Sequence, residues 1–226
     1  MNIDIQLRPG SSIAKVTLEA GEQITAEGGS MVAMSGDMQM VTTTHKKEQG
    51  NVLSAVKRML SGESFFMNHY TASSKGGEVW LAPTLIGDMM THNLDGGRLI
   101  VQAGAFVASE KSVDIAFNWQ GFKSLFSGES MFWLVASGKG KLVLNSFGVI
   151  YPVKVNGEFI VDTGHIVAFD DSLNFSISKA GGSWISSFLG GEGFVCKFSG
   201  NGTVWCQSHN ERAFGQMLTP KLKPRK

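Results

Sequence analysis

Two cysteines, five prolines and two tyrosines in 226 residues set the first limits on this chain. Cys196 and Cys206 lie ten residues apart around Ser199-Gly200-Asn201-Gly202, a turn signal, so the sequence places them across one hairpin. A disulfide is not needed to hold the fold, because a 24.3 kDa chain buries about 70% of its extended surface without staples. In a reducing compartment the two thiols read as small hydrophobes. Charge is scarce too, at 17% of residues with a net of +1, which excludes a global basic field for nucleic acid or membrane surfaces. The apolar runs Met131 to Ala136 and Phe147 to Val153 fall far short of the roughly 20 residues of a spanning helix. The first residues, MNIDIQLRPG, carry no basic region followed by an apolar stretch, so a cytoplasmic location is expected.

Glycine, in contrast, is abundant: 28 residues, which with low charge points to many short strands and tight turns. Laying the chain on itself finds one pattern three times. Ile24, Leu99 and Phe159 align, then Gly29, Gly104 and Gly164, then Val32-Ala33, Val107-Ala108 and Val167-Ala168. Alternation with period two follows in each copy, at Met38, Met40 and Thr42, at Val113, Ile115 and Phe117, and at Leu173, Phe175 and Ile177, the signature of half-buried strands. Later in each copy come Gly62-Glu63, Gly128-Glu129 and Gly191-Glu192, then Gly77, Gly140 and Gly202 before Val79-Trp80-Leu81, Leu142-Val143-Leu144 and Val204-Trp205-Cys206. This reads as a hairpin turned at the glycine. The fold class expected is all-β: three tandem β-sandwich or double-stranded β-helix-like repeats in a pseudo-threefold arrangement with short helical connectors.

The units fall at about 1–81, 82–145 and 146–210, followed by a polar, basic tail over 211–226. Ile3 to Leu7 is a spare strand that pairs with the first unit or with a neighbouring chain, since an unpaired edge invites aggregation. Connectors around Val52 to Leu60, Phe122 to Phe126 and Trp184 to Leu189 carry apolar residues three and four apart. They read as helical lids over each unit or, alternatively, as protein or membrane contacts.

No catalytic centre is legible. The five histidines, His45, His69, His92, His165 and His209, form no metal-binding spacing, and there is no phosphate loop, nucleophile elbow or triad order. No cofactor is expected. The repeated polar positions are Glu63, Glu129 and Glu192, read as turn carboxylates that accept backbone N–H bonds, or as a ring of carboxylates that attracts a cation. The repeated glycines, Gly29, Gly104 and Gly164, mark positions of positive φ or close approach. No Lys or Arg recurs in all three copies, which disfavours RNA reading by equivalent modules.

Gly28-Gly29-Ser30-Met31-Val32-Ala33-Met34, Gly62-Glu63-Ser64-Phe65-Phe66, Pro83 to Asp88, Val161 to Phe169 and Phe188 to Gly193 together resemble the family named for altered inheritance of mitochondria protein 24, in its bacterial branch. The resemblance runs through nearly the whole chain. It implies a β-fold related to the trp RNA-binding attenuation protein, three units per chain and a ring-like homotrimer. It implies no catalytic residues, and it associates eukaryotic members with mitochondrial inner-membrane organisation. The function expected is a non-enzymatic scaffold or interaction protein, with a protein or peripheral membrane partner. A small-ligand-binding β-barrel, an RNA-binding ring and, after these, an enzyme with a site between repeats are the alternatives.

Overall fold

The computed structural model describes residues 1–44, 66–116, 133–179 and 194–222. Alternation becomes strand almost everywhere in them. The first segment holds β1 (Asn2–Gln6), β2 (Ile13–Leu18), β3 (Gln23–Glu27), β4 (Met31–Met34), β5 (Gln39–Thr44), β6 (Phe66–Thr71) and β7 (Gly77–Leu81). β2 pairs antiparallel with β7 and β3 with β6, while β4 adds to β7 and β5 to β6. Period two decides which side faces in: Ala14, Val16 and Leu18 of β2 and Ile24 and Ala26 of β3 are buried. The spare strand β1 finds its partner inside the chain, on β2.

In the second segment β8 (Met89–Gln102) and β11 (Trp133–Asn145) pair along nearly their whole lengths. β9 (Phe106–Glu110) adds to one end of β11 and β10 (Val113–Ala116) to the other. The third segment repeats this arrangement of pairings. β12 (Ile150–Asp162) lies against β15 (Phe194–Gln207), and β13 (Ile166–Asp170) and β14 (Asn174–Lys179) take the two ends of β15. Each of β4, β9 and β13 carries a register shift at its second residue. Met31 and Ala33 oppose Leu81 and Trp80, Phe106 and Ala108 oppose Leu144 and Val143, and Ile166 and Ala168 oppose Cys206 and Trp205. The extra residues are Val32, Val107 and Val167.

The segments are joined by shared sheet. β9 pairs on its other side with β3, and β13 with β8. One sheet therefore runs β12-β15-β13-β8-β11-β9-β3-β6-β5, and a second runs β1-β2-β7-β4. The hydrophobic clusters cross the same joints: Met89, Val107 and Val143 pack with the first segment's core, and Ile100, Trp133 and Val135 with the third's.

Two sequence readings need correcting. Gly140 and Gly202 do not turn a hairpin, because β11 and β15 run straight through them. β8 and β12 are long enough to pair along both arms, so a bend suffices where a reversal was expected. Gly157 and Gly200 face each other across β12 and β15 with φ of 100° and 114°, which lets both strands change direction at one level. As a result Cys196 and Cys206 share one strand instead of facing each other. After β15, Asn210 caps an α-helix, α1 (Glu211–Leu218), by accepting from the N–H groups of Arg212 and Ala213.

Candidate functional site

Glu63, Glu129 and Glu192, with the three connectors, lie outside the described residues. Gly29, Gly104 and Gly164 each occupy the step from a long strand arm into a bulged strand, for different reasons. Gly29 has φ 95° with open space around it. Gly104 and Gly164 sit in the middle of the 3-10 turns Ala103–Ala105 and Thr163–His165. A Cβ on Gly164 would lie 2.1 Å from the side-chain nitrogen of Asn210, the residue that caps α1. On Gly104 it would lie 3.2 Å from Gln102 Oε1.

The densest polar cluster is one that spacing in the sequence could not show. Asp88 ends the loop between β7 and β8 and is buried. Arg8 grips its carboxylate with Nε at 2.7 Å and Nη2 at 2.8 Å, Ser12 donates its hydroxyl at 3.1 Å, and the Met89 N–H donates at 2.8 Å. Burial alone would raise this carboxyl, but the Arg8 fork, the Met89 N–H and the Ser12 hydroxyl outweigh it and hold it below the ordinary Asp value. Backbone bonds complete the knot: the Asp88 N–H donates to Gly148 O at 2.7 Å, the Ser146 N–H to Asp88 O at 3.0 Å, and the Ser12 N–H to Gly87 O at 3.0 Å. The knot ties the N-terminal segment to both inter-segment loops. With four donors spent on one carboxylate, its chemistry is that of a fastener.

The other titratable groups are held by neighbouring strands. His69 lies between Thr25 and Thr43 hydroxyls, each 2.8 Å from one ring nitrogen, which bridges β3, β6 and β5. The Nδ1 atom of His165 is 2.8 Å from Gln207 O. His92 packs edge-on against Trp205 at 4.9 Å, and burial lowers its basicity against a weaker pull from Asp170. Burial pushes the Cys196 and Cys206 thiols up to about 12 and about 11, far from a nucleophile's range. Burial, aided by the charge of Glu211, pushes Glu27 up to about 7. Among the described residues no three His, Cys, Asp or Glu side chains come together as a metal site, and no helix is long and apolar enough to cross a membrane.

What the described surface does offer is exposed strand edge. Among the described strands β4 pairs with β7 alone, and β12 with β15 alone. Val32 on β4 is 57% exposed, and Phe159 and Ile160 on β12 are 44% and 61% exposed. Such edges present unpaired backbone N–H and C=O groups beside apolar side chains.

Comparison with known proteins follows the same lines. An uncharacterised protein of Streptococcus pyogenes serotype M6 is 30% identical over 212 residues, covering 91% of this chain and 85% of the relative. The crystal structure of another Streptococcus pyogenes protein superposes with a TM-score of 0.80 at 27% identity, covering 98% of this chain and 99% of that one. The family model described as mitochondrial biogenesis AIM24 matches residues 4–209. This chain belongs to the mitochondrial biogenesis AIM24 family.

Proposed function

We propose that the chain is a non-enzymatic scaffold protein, built from three tandem β units and assembled as a ring-like homotrimer in the cytoplasm. Its surface is read as a platform for a protein partner or for the periphery of a membrane. The observation that carries this reading is the sharing of sheet between segments, β9 with β3 and β13 with β8, so that each unit is completed by the next. The same one-residue bulge at Val32, Val107 and Val167, each against its neighbouring strand β7, β11 or β15, supports three equivalent units. The engagement of the described polar side chains with their own strands, as at Asp88 and His69, supports a framework role over turnover. Affinity capture of the tagged chain from its native host, read by mass spectrometry of proteins and lipids, tests the proposal. Reproducible co-purification of one protein or lipid class at near-stoichiometric amount is expected. A tightly held small metabolite in its place would contradict the scaffold reading.

A further inference from the structure

The two internal joints show how this chain covers a strand edge, and a third copy of the same pair of edges is left open. At the first joint Ala108 of β9 opposes Ala26 of β3, Ser109 opposes Thr25 and Glu110 opposes Ile24. At the second, Ala168 of β13 opposes Val101 of β8, Phe169 opposes Ile100 and Asp170 opposes Leu99. The apolar residues at both joints are buried: Val107 and Val167 are 1% and 0% exposed, and Ile24, Ala26, Leu99, Ile100 and Val101 are 0% exposed. In the repeat alignment Ala33 stands where Ala108 and Ala168 stand, and Phe159, Ile160 and Val161 stand where Leu99, Ile100 and Val101 stand. Among the described residues these make no such joint, and Val32, Phe159 and Ile160 are exposed.

We infer that β4 of one copy pairs antiparallel with β12 of a second copy of this chain, in the register of the internal joints, with Ala33 opposite Val161 and Met34 opposite Ile160 of the next copy. This rests on the three-unit reading above and gives its assembly an interface. The occupant is a second copy because the two open edges are the two halves of a joint the chain already makes twice. A foreign strand would match the backbone, but it would have no reason to match the apolar residues on both sides. The contact is head-to-tail, since β4 and β12 are different surfaces, so it propagates until a ring closes. It also covers the exposed apolar residues Val32, Phe159 and Ile160 of these two edges, which would otherwise template aggregation.

Antiparallel partners lie about 4.5–5.5 Å apart between Cα atoms, within disulfide reach. The test is therefore co-expression of two differently tagged chains, one carrying Ala33→Cys and the other Val161→Cys, followed by mild oxidation and non-reducing electrophoresis. Val161 stands directly opposite Cys196 in the β12–β15 pairing, so every chain in the test also carries Cys196→Ala, and the buried Cys206, opposite Tyr151, stays out of the reaction. A mixed disulfide between the two tags, absent when either variant is expressed alone, is expected. Ile160→Lys, at an exposed position, should leave circular dichroism unchanged and lower the mass in light scattering to that of one chain. A cross-link confined to a single chain in the Ala33→Cys/Val161→Cys double variant would overturn the inference in favour of intrachain closure. An oligomer of unchanged mass that gives no mixed disulfide would overturn it while leaving the homotrimer standing on another surface. A mixed disulfide in an assembly of some other number of copies would uphold the joint and remove the homotrimer.

Discussion

Arg8 and Asp88 stand 80 residues apart in sequence and meet through two hydrogen bonds of 2.7 and 2.8 Å, at the point where the first segment hands the chain to the second. Asp88 is buried while Arg8 is about half exposed, so removing the arginine leaves a carboxylate stranded with only the Ser12 and Met89 donors. Arg8→Ala is expected to cost about 2 kcal/mol in urea unfolding. The folded carboxyl lies below its unfolded value near 3.9, so this contribution is complete above that pH and is lost as pH falls through the folded value. Arg8→Ala should therefore flatten the acid limb of the stability profile, and an unchanged limb would refute the assignment.

Glycine substitutions should rank by what surrounds them. A Cβ on Gly87 would fall 1.7 Å from Ser146 O, in the backbone of the neighbouring loop, so Gly87→Ala should cost roughly 3 kcal/mol or more. Gly29→Ala meets no atom but keeps a left-handed backbone, for about 1 kcal/mol. Gly164→Ala pushes the Asn210 side chain off the start of α1 and should cost about 1 kcal/mol with a small loss of helical signal. Thermal melts of the three variants check the order.

Glu27 reverses the usual sign for a carboxylate. With its folded value raised to about 7, protonation is favoured in the native state. The native state thus loses stability as pH rises from the unfolded value near 4.3 through about 7. Glu27→Gln should remove this slope and be more stable than the parent by about 2 kcal/mol at pH 8, as read by denaturant melts at pH 5 and pH 8.

The two thiols offer a simpler check. Cys196 and Cys206 lie on either side of the bend at Gly200 and oppose Val161 and Tyr151 of β12, not each other, and both are free thiols. With their thiols pushed up to about 12 and about 11, neither should react with an alkylating reagent at pH 7.5 until the protein unfolds. Rapid native labelling would show that the two thiols are not buried.

The sequence carried the architecture well where a residue's neighbours in the chain decide its place. Alternation at Val113 and Ile115 announces strand with a buried face, and both residues are buried. Alternation fails at Met40, expected inward and found exposed on β5, which among the described strands pairs with β6 alone at the end of the sheet. Glycine was the weaker guide. A glycine tells that the backbone is special, not whether it turns or bends, so Gly202 read as a hairpin although β12 pairs straight past it. Asp88 was visible within the segment Pro83 to Asp88 that carried the family resemblance, but its partners were not. An ion pair across 80 residues leaves no local spacing to read. The exposed edges of β4 and β12 were equally hidden, since Val32 and Ile160 look like Val107 and Ile100 until the pairing of every strand is known.

The mass of the purified chain in solution at micromolar concentration tests the central claim most directly. Size-exclusion chromatography with light scattering should give three times the 24.3 kDa chain mass, stable on dilution across that range. A stable monomer of 24.3 kDa with its β4 and β12 edges open to solvent would contradict the account.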